Sequence, residues 1–182
     1  MIEKYALFKV FDELRKALEE VSVRGLARNA GIGSSTSKMC LDYLFEKRIA
    51  TRKIIGNLYQ YKLNNENALA RQLKIAASLA EIQDSGMAAE LAKKCPELVS
   101  VVLYGSVAEG IDNAKSDIDL LMVSRAKLKT ASFDFEKKLN REISFVRCTM
   151  QEWREKAAKE KAFYESVIIK GIALFGELPV VK

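Results

Sequence analysis

Two aspartates stand one residue apart in the C-terminal half of the sequence, in the segment Ser-Asp-Ile-Asp-Leu-Leu-Met-Val. Residues two apart on a β-strand point to the same face, so Asp117 and Asp119 are expected together, with Ile118, Leu120 and Met122 on the opposite face. Two parallel carboxylates repel each other unless a cation lies between them. Because all-oxygen ligation suits Mg²⁺ or Mn²⁺, the pair predicts a divalent-metal site.

A glycine and a serine precede this pair. Gly105 and Ser106 follow an apolar run, residues 98–104, that predicts a buried strand, and a helix is expected to begin after them. Glycine lets the backbone approach a ligand closely, and backbone amides at a helix N-terminus bind anions. A metal beside a phosphate cradle is what nucleotidyl transfer requires. We therefore predict that Gly105 and Ser106 bind nucleotide and that Asp117 and Asp119 are metal-binding and catalytic.

The same segment resembles the minimal nucleotidyltransferases, the smallest members of the DNA polymerase β-like superfamily. The Gly-Ser pair, the ten-residue gap and the Asp-x-Asp motif of that family match Gly105-Ser106 and Asp117-Ile118-Asp119 without an insertion. The tail, residues 163–177, looks like the last helix and strand of such domains. The resemblance covers about residues 98–178 and implies a small mixed-sheet α/β domain. It also implies transfer of a nucleoside monophosphate from a triphosphate, with ATP the expected substrate, to a hydroxyl.

Three positions depart from the family pattern. Val107 and Glu109 stand in a stretch where family members often carry an arginine that approaches the triphosphate. Ser144 aligns with the family's third carboxylate, the base for the incoming hydroxyl, and Glu142 lies two residues earlier on the same face. Glu142 either takes over as the catalytic base or is a surface residue. Two hypotheses therefore stay open: an enzyme, and a regulator whose domain binds nucleotide only as a sensor.

The elements that precede this site form a separate pattern. Residues 21–41 and 47–62 contain lysines and arginines but no acidic residue, which favours a phosphate backbone as partner. A solvated basic surface is the alternative interpretation. The pattern predicts, in order, a helix over residues 1–20, a short helix capped by Ser22, a turn at Gly31-Ile32-Gly33, a helix capped by Ser34 or Ser35, and a β-hairpin around Gly56-Asn57.

Residues 20–65 resemble the winged helix-turn-helix modules of archaeal and bacterial regulators. The motifs that carry the resemblance are Arg24-Gly25-Leu26-Ala27-Arg28, Gly31-Ile32, Ser35-Thr36-Ser37-Lys38 and Tyr61-Lys62-Leu63. The resemblance implies double-stranded DNA as a partner, bound by Ser35, Thr36 and Lys38 on a recognition helix and by Arg52 and Lys53 in the wing. Ser37 departs from the pattern, because such helices usually place Val or Ile there.

The fold class predicted for the whole chain is α+β. Its predicted domains are a winged helix over residues 1–65, a connecting helix over 66–96 and a nucleotidyltransferase-like domain over 97–182. The connecting helix either packs only on its own domain or also pairs two subunits in a homodimer. Relatives of the minimal domain often serve as antitoxins, so a protein acceptor such as a toxin partner is conceivable by resemblance.

Composition excludes several other classes of protein. The sequence has no histidine and only three cysteines, far apart, which argues against His-based catalysis, a zinc site and a disulfide framework. No signal peptide or apolar run of membrane-spanning length is visible. We therefore expect a cytoplasmic protein without a membrane partner.

Overall fold

The computed structural model describes residues 5–127 and 135–181. The chain divides into two compact units, residues 1–74 and 75–182, and the boundary falls inside a helix. In chain order the elements are α1 (Ala6–Lys16), β1 (Val21–Ser22), α2 (Val23–Ala30), α3 (Ser34–Glu46), β2 (Ala50–Ile55), β3 (Leu58–Leu63), α4 (Ala68–Asp84), α5 (Met87–Lys94), β4 (Leu98–Tyr104), α6 (Gly105–Glu109), β5 (Ile118–Ser124), α7 (Phe135–Leu139), β6 (Ile143–Thr149), α8 (Met150–Lys159), α9 (Lys161–Lys170) and β7 (Ile172–Phe175).

The N-terminal unit packs helices α1, α2 and α3 against one another and against a three-stranded antiparallel sheet of order β1-β3-β2. Its core contains Leu14, Leu26, Leu41 and Tyr61, all with at most 1% of their surface exposed. Each helix contributes the apolar side of an amphipathic pattern to this core. The predicted short helix, third helix and hairpin are therefore all present.

Local contacts explain where these elements begin. The Ser22 hydroxyl accepts a hydrogen bond from the Gly25 amide at 3.1 Å, which confirms Ser22 as the N-cap of α2. Neither Ser34 nor Ser35 caps α3. The N-cap is Gly33, whose extended backbone places its carbonyl where the Ser37 amide donates to it at 2.9 Å.

Ser37 is fully buried in α3, and its hydroxyl donates a hydrogen bond to the Val23 carbonyl at 3.2 Å. A polar residue is tolerated at this position because its hydroxyl is satisfied by the first residue of the preceding helix. Of the pair at the hairpin turn, Gly56 alone has a positive φ, +61°, within the described part of the chain.

Two helices, α4 and α5, occupy the segment for which a single connecting helix over residues 66–96 was predicted. The break is at Gly86, whose φ of +73° is left-handed and ends the helical hydrogen-bonding pattern. The Ser85 hydroxyl, which donates to the Ile82 carbonyl at 2.6 Å, reinforces the end of α4. The prediction of one continuous helix was wrong, and the three predicted domain boundaries stay a prediction.

The C-terminal unit is built on a four-stranded mixed sheet of order β6-β5-β4-β7. Strand β5 runs parallel to β6 and antiparallel to β4, and β7 is antiparallel to β4. One face, with Ile118, Leu120 and Met122, packs against α5, α6 and α7. The other face, with Leu121, packs against Trp153 of α8 and against α9. This α+β architecture confirms the predicted fold class.

None of the described helices combines the length and the apolar character that crossing a membrane would require.

Candidate active site

Three polar side chains form a row across the mixed sheet. Asp119, the second residue of β5, lies opposite Tyr104 of β4 and opposite Ser144 of β6. Because residues in register on neighbouring strands point to the same face, the carboxylate lies between two hydroxyl-bearing side chains. This row is at the end of the sheet where β4 stops and where β5 and β6 begin.

Asp117 precedes β5 and is exposed, whereas Asp119 is partly buried. Burial raises the pKa of Asp119 above its usual range, and the negative charge of Asp117 raises it further, while Arg141 opposes both effects. The two carboxylates are therefore close enough to repel each other. A cation between them would remove that repulsion.

Gly105 lies directly against the Asp119 carboxylate. Its φ is +71°, and a Cβ built on Gly105 would be only 2.3 Å from Oδ2 of Asp119. Glycine is therefore required on two independent grounds, conformation and space. Ser106 follows as a half-buried residue in α6, a helix of five residues.

We expect Gly105→Ala to weaken metal-dependent nucleotide binding by displacing Asp119. The matched control is Gly86→Ala, because Gly86 has nearly the same φ, +73°, but open space where a Cβ would be. Both variants carry the cost of a left-handed non-glycine residue, about 1–2 kcal/mol. Calorimetric titration of each variant with Mg²⁺ and ATP measures the difference. Equal loss of binding in both variants would contradict a specific role of the Gly105–Asp119 contact.

The position next to Asp119 on β6 holds a hydroxyl rather than a carboxylate. Ser144 is exposed and in direct register with Asp119. Glu142 is also exposed, immediately before β6, and its carbonyl accepts a hydrogen bond from the Ile118 amide at 2.9 Å. Among the residues that the structure describes, no three acidic, cysteine or histidine side chains cluster as metal ligands.

Two side chains that sequence reasoning missed support the loop before Asp117. Arg141 forms an ion pair with Asp112 at 3.0 Å, and its Nε donates to the Ser116 carbonyl at 2.8 Å. The exposed fractions of the two side chains are 10% and 4%. Nothing in the local sequence signals this pair, because 29 residues separate its members.

Val107 and Glu109, the two departures in the stretch after Ser106, both have structural roles. Val107 is fully buried in the core beneath the sheet, so its side chain does not face the row of polar residues. Glu109 is paired with Lys170 of α9, whose Nζ is 2.8 Å from Oε2. The ammonium of Lys170 thus offsets the negative charge that would repel a phosphate.

The donor set of this site fits a hard divalent cation. Two carboxylate oxygen donors, one partly buried and repelled by the other, match the preference of Mg²⁺ for one or two carboxylates together with substrate phosphates. Asp117 and Asp119 would hold such an ion, with the remaining positions left for water and nucleotide.

The five residues predicted to contact DNA lie in the N-terminal unit, in two groups. Ser35, Thr36 and Lys38 are in the first turns of α3, and Arg52 and Lys53 are in β2. Lys38 forms an ion pair with Asp42, and this hydrogen bond lowers the pKa of the Asp42 carboxyl.

Asp42 also forms an ion pair with Arg52, in which the distance from Nη1 to Oδ1 is 3.3 Å. The Arg52 guanidinium lies over the rings of Phe45 and Tyr59, 4.2 and 4.5 Å from their centroids. Lys53 pairs instead with Glu20 at 2.9 Å. The structure thus brings Lys38 and Arg52 together and places Lys53 on a different acidic partner.

The Polymerase beta, Nucleotidyltransferase family matches residues 87–177, which is half of the chain. The chain belongs to this family. The matched residues include Gly105, Asp119 and Ser144, so the row of polar residues lies inside the matched segment. Proteins of this family generally use a nucleoside triphosphate and a divalent metal. Membership of the family supports the assignment of this chain as a nucleotidyltransferase.

Three solved structures show weaker likeness to the chain. A toxin–antitoxin with AMP-PNP has 19% identity and a TM-score of 0.39, and the match covers 54% of this chain and 73% of that one. The DNA-binding protein Sso10a-2 from Sulfolobus solfataricus has 16% identity and a TM-score of 0.37, with coverage of 50% and 95%. Human N-acetylserotonin methyltransferase with SAM has 13% identity and a TM-score of 0.32, with coverage of 46% and 30%.

At these TM-scores none of the three likenesses supports a functional conclusion. A comparison with curated protein sequences gave no significant match.

Proposed function

We propose that the nucleotidyltransferase domain binds ATP with Mg²⁺ and transfers the nucleoside monophosphate to a hydroxyl. The observation that carries this proposal is the environment of the Asp119 carboxylate. The carboxylate lies against Gly105, and burial and the Asp117 charge raise its pKa. The Asp117 charge repels the Asp119 carboxylate, and burial adds to the cost of the Asp119 charge. A bound divalent ion would offset their repulsion and would polarise the phosphate oxygens of the nucleotide.

The residues of the site have separate tasks in this reaction. Asp117 and Asp119 would hold a divalent ion, which would supply positive charge to the triphosphate, and the backbone at Gly105 and Ser106 lets the phosphates approach closely. The acceptor oxygen forms a bond to the α-phosphorus while the bond to the pyrophosphate oxygen breaks. The proton of the acceptor hydroxyl passes to Glu142 or to solvent, because Ser144 is not a base.

The test is incubation of the full chain with Mg²⁺ and ATP labelled at the α-phosphate. We expect release of pyrophosphate and transfer of label to an acceptor, with Asp119→Asn as the inactive control. ATP binding without any pyrophosphate release would contradict catalysis and favour the sensor hypothesis. The observation that favours this second function is Ser144, since the position beside Asp119 lacks a carboxylate.

For the N-terminal unit we propose a winged helix-turn-helix that binds double-stranded DNA. In this proposal α3 is the recognition helix and the β2–β3 hairpin is the wing. The order of helices and hairpin supports it, as do the exposed ammonium groups of Lys38 and Lys53, whose side chains are 53% and 68% exposed. Arg52 is less available for DNA phosphates, because the rings of Phe45 and Tyr59 and the Asp42 carboxylate lie against its guanidinium.

Lys38→Gln with Lys53→Gln is expected to flatten the salt dependence of DNA binding. Each neutralised phosphate contributes about −0.9 to the slope of log K against log salt, so the double variant should lose about two units. Fluorescence anisotropy with a mixed-sequence duplex at several salt concentrations measures the slope.

The matched control is Lys159→Gln with Lys161→Gln, which removes two ion-paired surface lysines of the C-terminal unit. Equal slopes for the two double variants would show that Lys38 and Lys53 do not contact phosphates. We leave Arg52 unchanged here because its truncation would also remove the stacking on Phe45 and Tyr59.

A further inference from the structure

The loop between α6 and β5 is held by a charged pair that is nearly excluded from solvent. Arg141 and Asp112 meet at 3.0 Å, with side chains 10% and 4% exposed. Burial of a charge is costly unless the charge is paired and hydrogen-bonded, so removal of one member of a buried pair leaves the other charge uncompensated. An ion pair that is nearly excluded from solvent at the edge of a site therefore has a role other than that of a solvated surface pair.

The guanidinium of Arg141 is directed at the backbone that leads into Asp117. Its Nε and Nη2 donate to the carbonyl of Ser116 at 2.8 and 2.5 Å, while Nη1 donates to Asp112. All three nitrogens thus have acceptors within the protein. Arg141 is accordingly not placed as a direct contact for a substrate phosphate.

The residues on both sides of Asp117 are tied to the start of β6. The Ser116 carbonyl is bound by Arg141, and the Ile118 amide donates to the Glu142 carbonyl at 2.9 Å. Asp117 itself is exposed, so its position depends on these two backbone anchors.

The loop adds its own hydrogen bonds, which shape it for this contact. The Asn113 amide donates to the Ser116 hydroxyl at 3.0 Å, and the Lys115 amide donates to the Asn113 side chain at 2.8 Å. The Ile111 amide donates to the Ser106 carbonyl at 3.0 Å, which fixes the beginning of the loop to α6. A short chain segment fixed at both ends has little freedom to move Asp117.

We infer that Arg141 and Asp112 are positioning residues, which fix the backbone at Asp117 and thereby set the separation of the Asp117 and Asp119 carboxylates for a divalent ion and nucleotide. This inference rests on the proposed function of the same site. Asp112 acts through Arg141: its carboxylate supplies the counter-charge and fixes the plane of the guanidinium, so that the other two nitrogens reach the Ser116 carbonyl.

The experiment is calorimetric titration of Mg²⁺ into the full chain with ATP present, at a temperature well below unfolding. We expect Arg141→Met and Asp112→Asn each to raise the Mg²⁺ concentration for half-saturation by about 10–100-fold, the usual effect of losing a group that orients a metal ligand. Arg141→Lys, which keeps the charge but not the forked hydrogen bonds, should recover only part of the loss and also guards against a misfolded Arg141→Met variant.

Two further variants separate positioning from general stability. Val101→Ala shortens a fully buried side chain of β4 on the face of the sheet opposite Asp119, and so it should lower the melting temperature without moving the Mg²⁺ midpoint. The double variant Arg141→Met with Asp112→Asn should shift the midpoint no further than either single variant, because the two residues act as a unit.

The possible failures are distinguishable. Wild-type protein that shows no Mg²⁺-dependent ATP binding would overturn the proposed function and this inference together. Wild-type binding with unchanged midpoints in the folded Arg141 and Asp112 variants would overturn the inference alone. A midpoint shift in Val101→Ala as large as in the Arg141 variants would show that the pair acts only on stability, and would overturn the inference.

Discussion

Asparagine in place of Asp119 is expected to abolish Mg²⁺-dependent ATP binding while the fold is retained. The substitution keeps the shape of the side chain and removes the charge that a divalent ion needs. Loss of a group that only orients a metal ligand costs about 10–100-fold in affinity, so the loss of a direct ligand should exceed that range. Asp117→Asn is expected to act in the same direction. Identical Mg²⁺–ATP titrations for wild-type and variant proteins would exclude a metal site here.

The same variants should change the pH dependence of stability in a defined direction. Burial and Asp117 raise the pKa of Asp119, so the folded protein holds that proton more tightly than the unfolded chain does. Stability is therefore lost as the pH rises from the ordinary aspartate range through the raised pKa, and the full cost is present only above that pKa. Without metal, Asp119→Asn should melt at a temperature equal to or above that of the wild type at pH 7. Mg²⁺ with ATP should reverse that order, because it stabilises only the wild type.

Aspartate in place of Ser144 is expected to raise the rate of nucleotidyl transfer. Ser144 is in register with Asp119 on the parallel neighbour, so the new carboxylate would stand on the same face beside it. A positioned general base contributes typically 10²–10⁴-fold, and we expect a measurable part of that factor. Pyrophosphate release measures the rate. Ser144→Asn is the matched control, since it has the same size without the charge.

The outcome also decides the role of Glu142. If Glu142 already supplies the base, Ser144→Asp should do little or crowd the ion, and Glu142→Gln should be the damaging change. Inactive wild-type protein, with Ser144→Asp also inactive and ATP still bound, would contradict catalysis and leave the sensor hypothesis. The exposed position of Glu142 just before β6 makes it accessible to an acceptor hydroxyl.

Local patterns in the sequence were sufficient to predict several elements of the fold, but not all of them. The alternation around Asp119 predicted both faces of β5, and the Ser22 cap and the hairpin at Gly56 followed from short-range rules. The continuous helix over residues 66–96 failed because the apolar pattern continues past Gly86, while the left-handed backbone of that single residue ends α4.

The charged partners were not predictable, for a different reason. Glu109 and Lys170 are 61 residues apart, and Lys53 and Glu20 are 33 apart, so each pair forms only when the chain folds. Residues 47–62 contain basic residues and no acidic one, whereas the structure gives Arg52 and Lys53 acidic partners from other segments of the chain. Composition shows how many charges a segment carries, and tertiary pairing decides how many face solvent alone.

The two proposed metal ligands should differ in how fast their backbone opens. Asp119 belongs to β5, which pairs with strands on both sides and whose following residues, Leu120 to Val123, are fully buried. Asp117 lies outside the strand, on a loop that the Arg141 side chain holds through the Ser116 carbonyl. Amide hydrogen exchange around Asp119 should therefore require unfolding of the sheet, whereas exchange in residues 111–117 can proceed through a smaller local opening. Ligand release and loss of the fold would then be separate events, with Asp117 leaving the ion first.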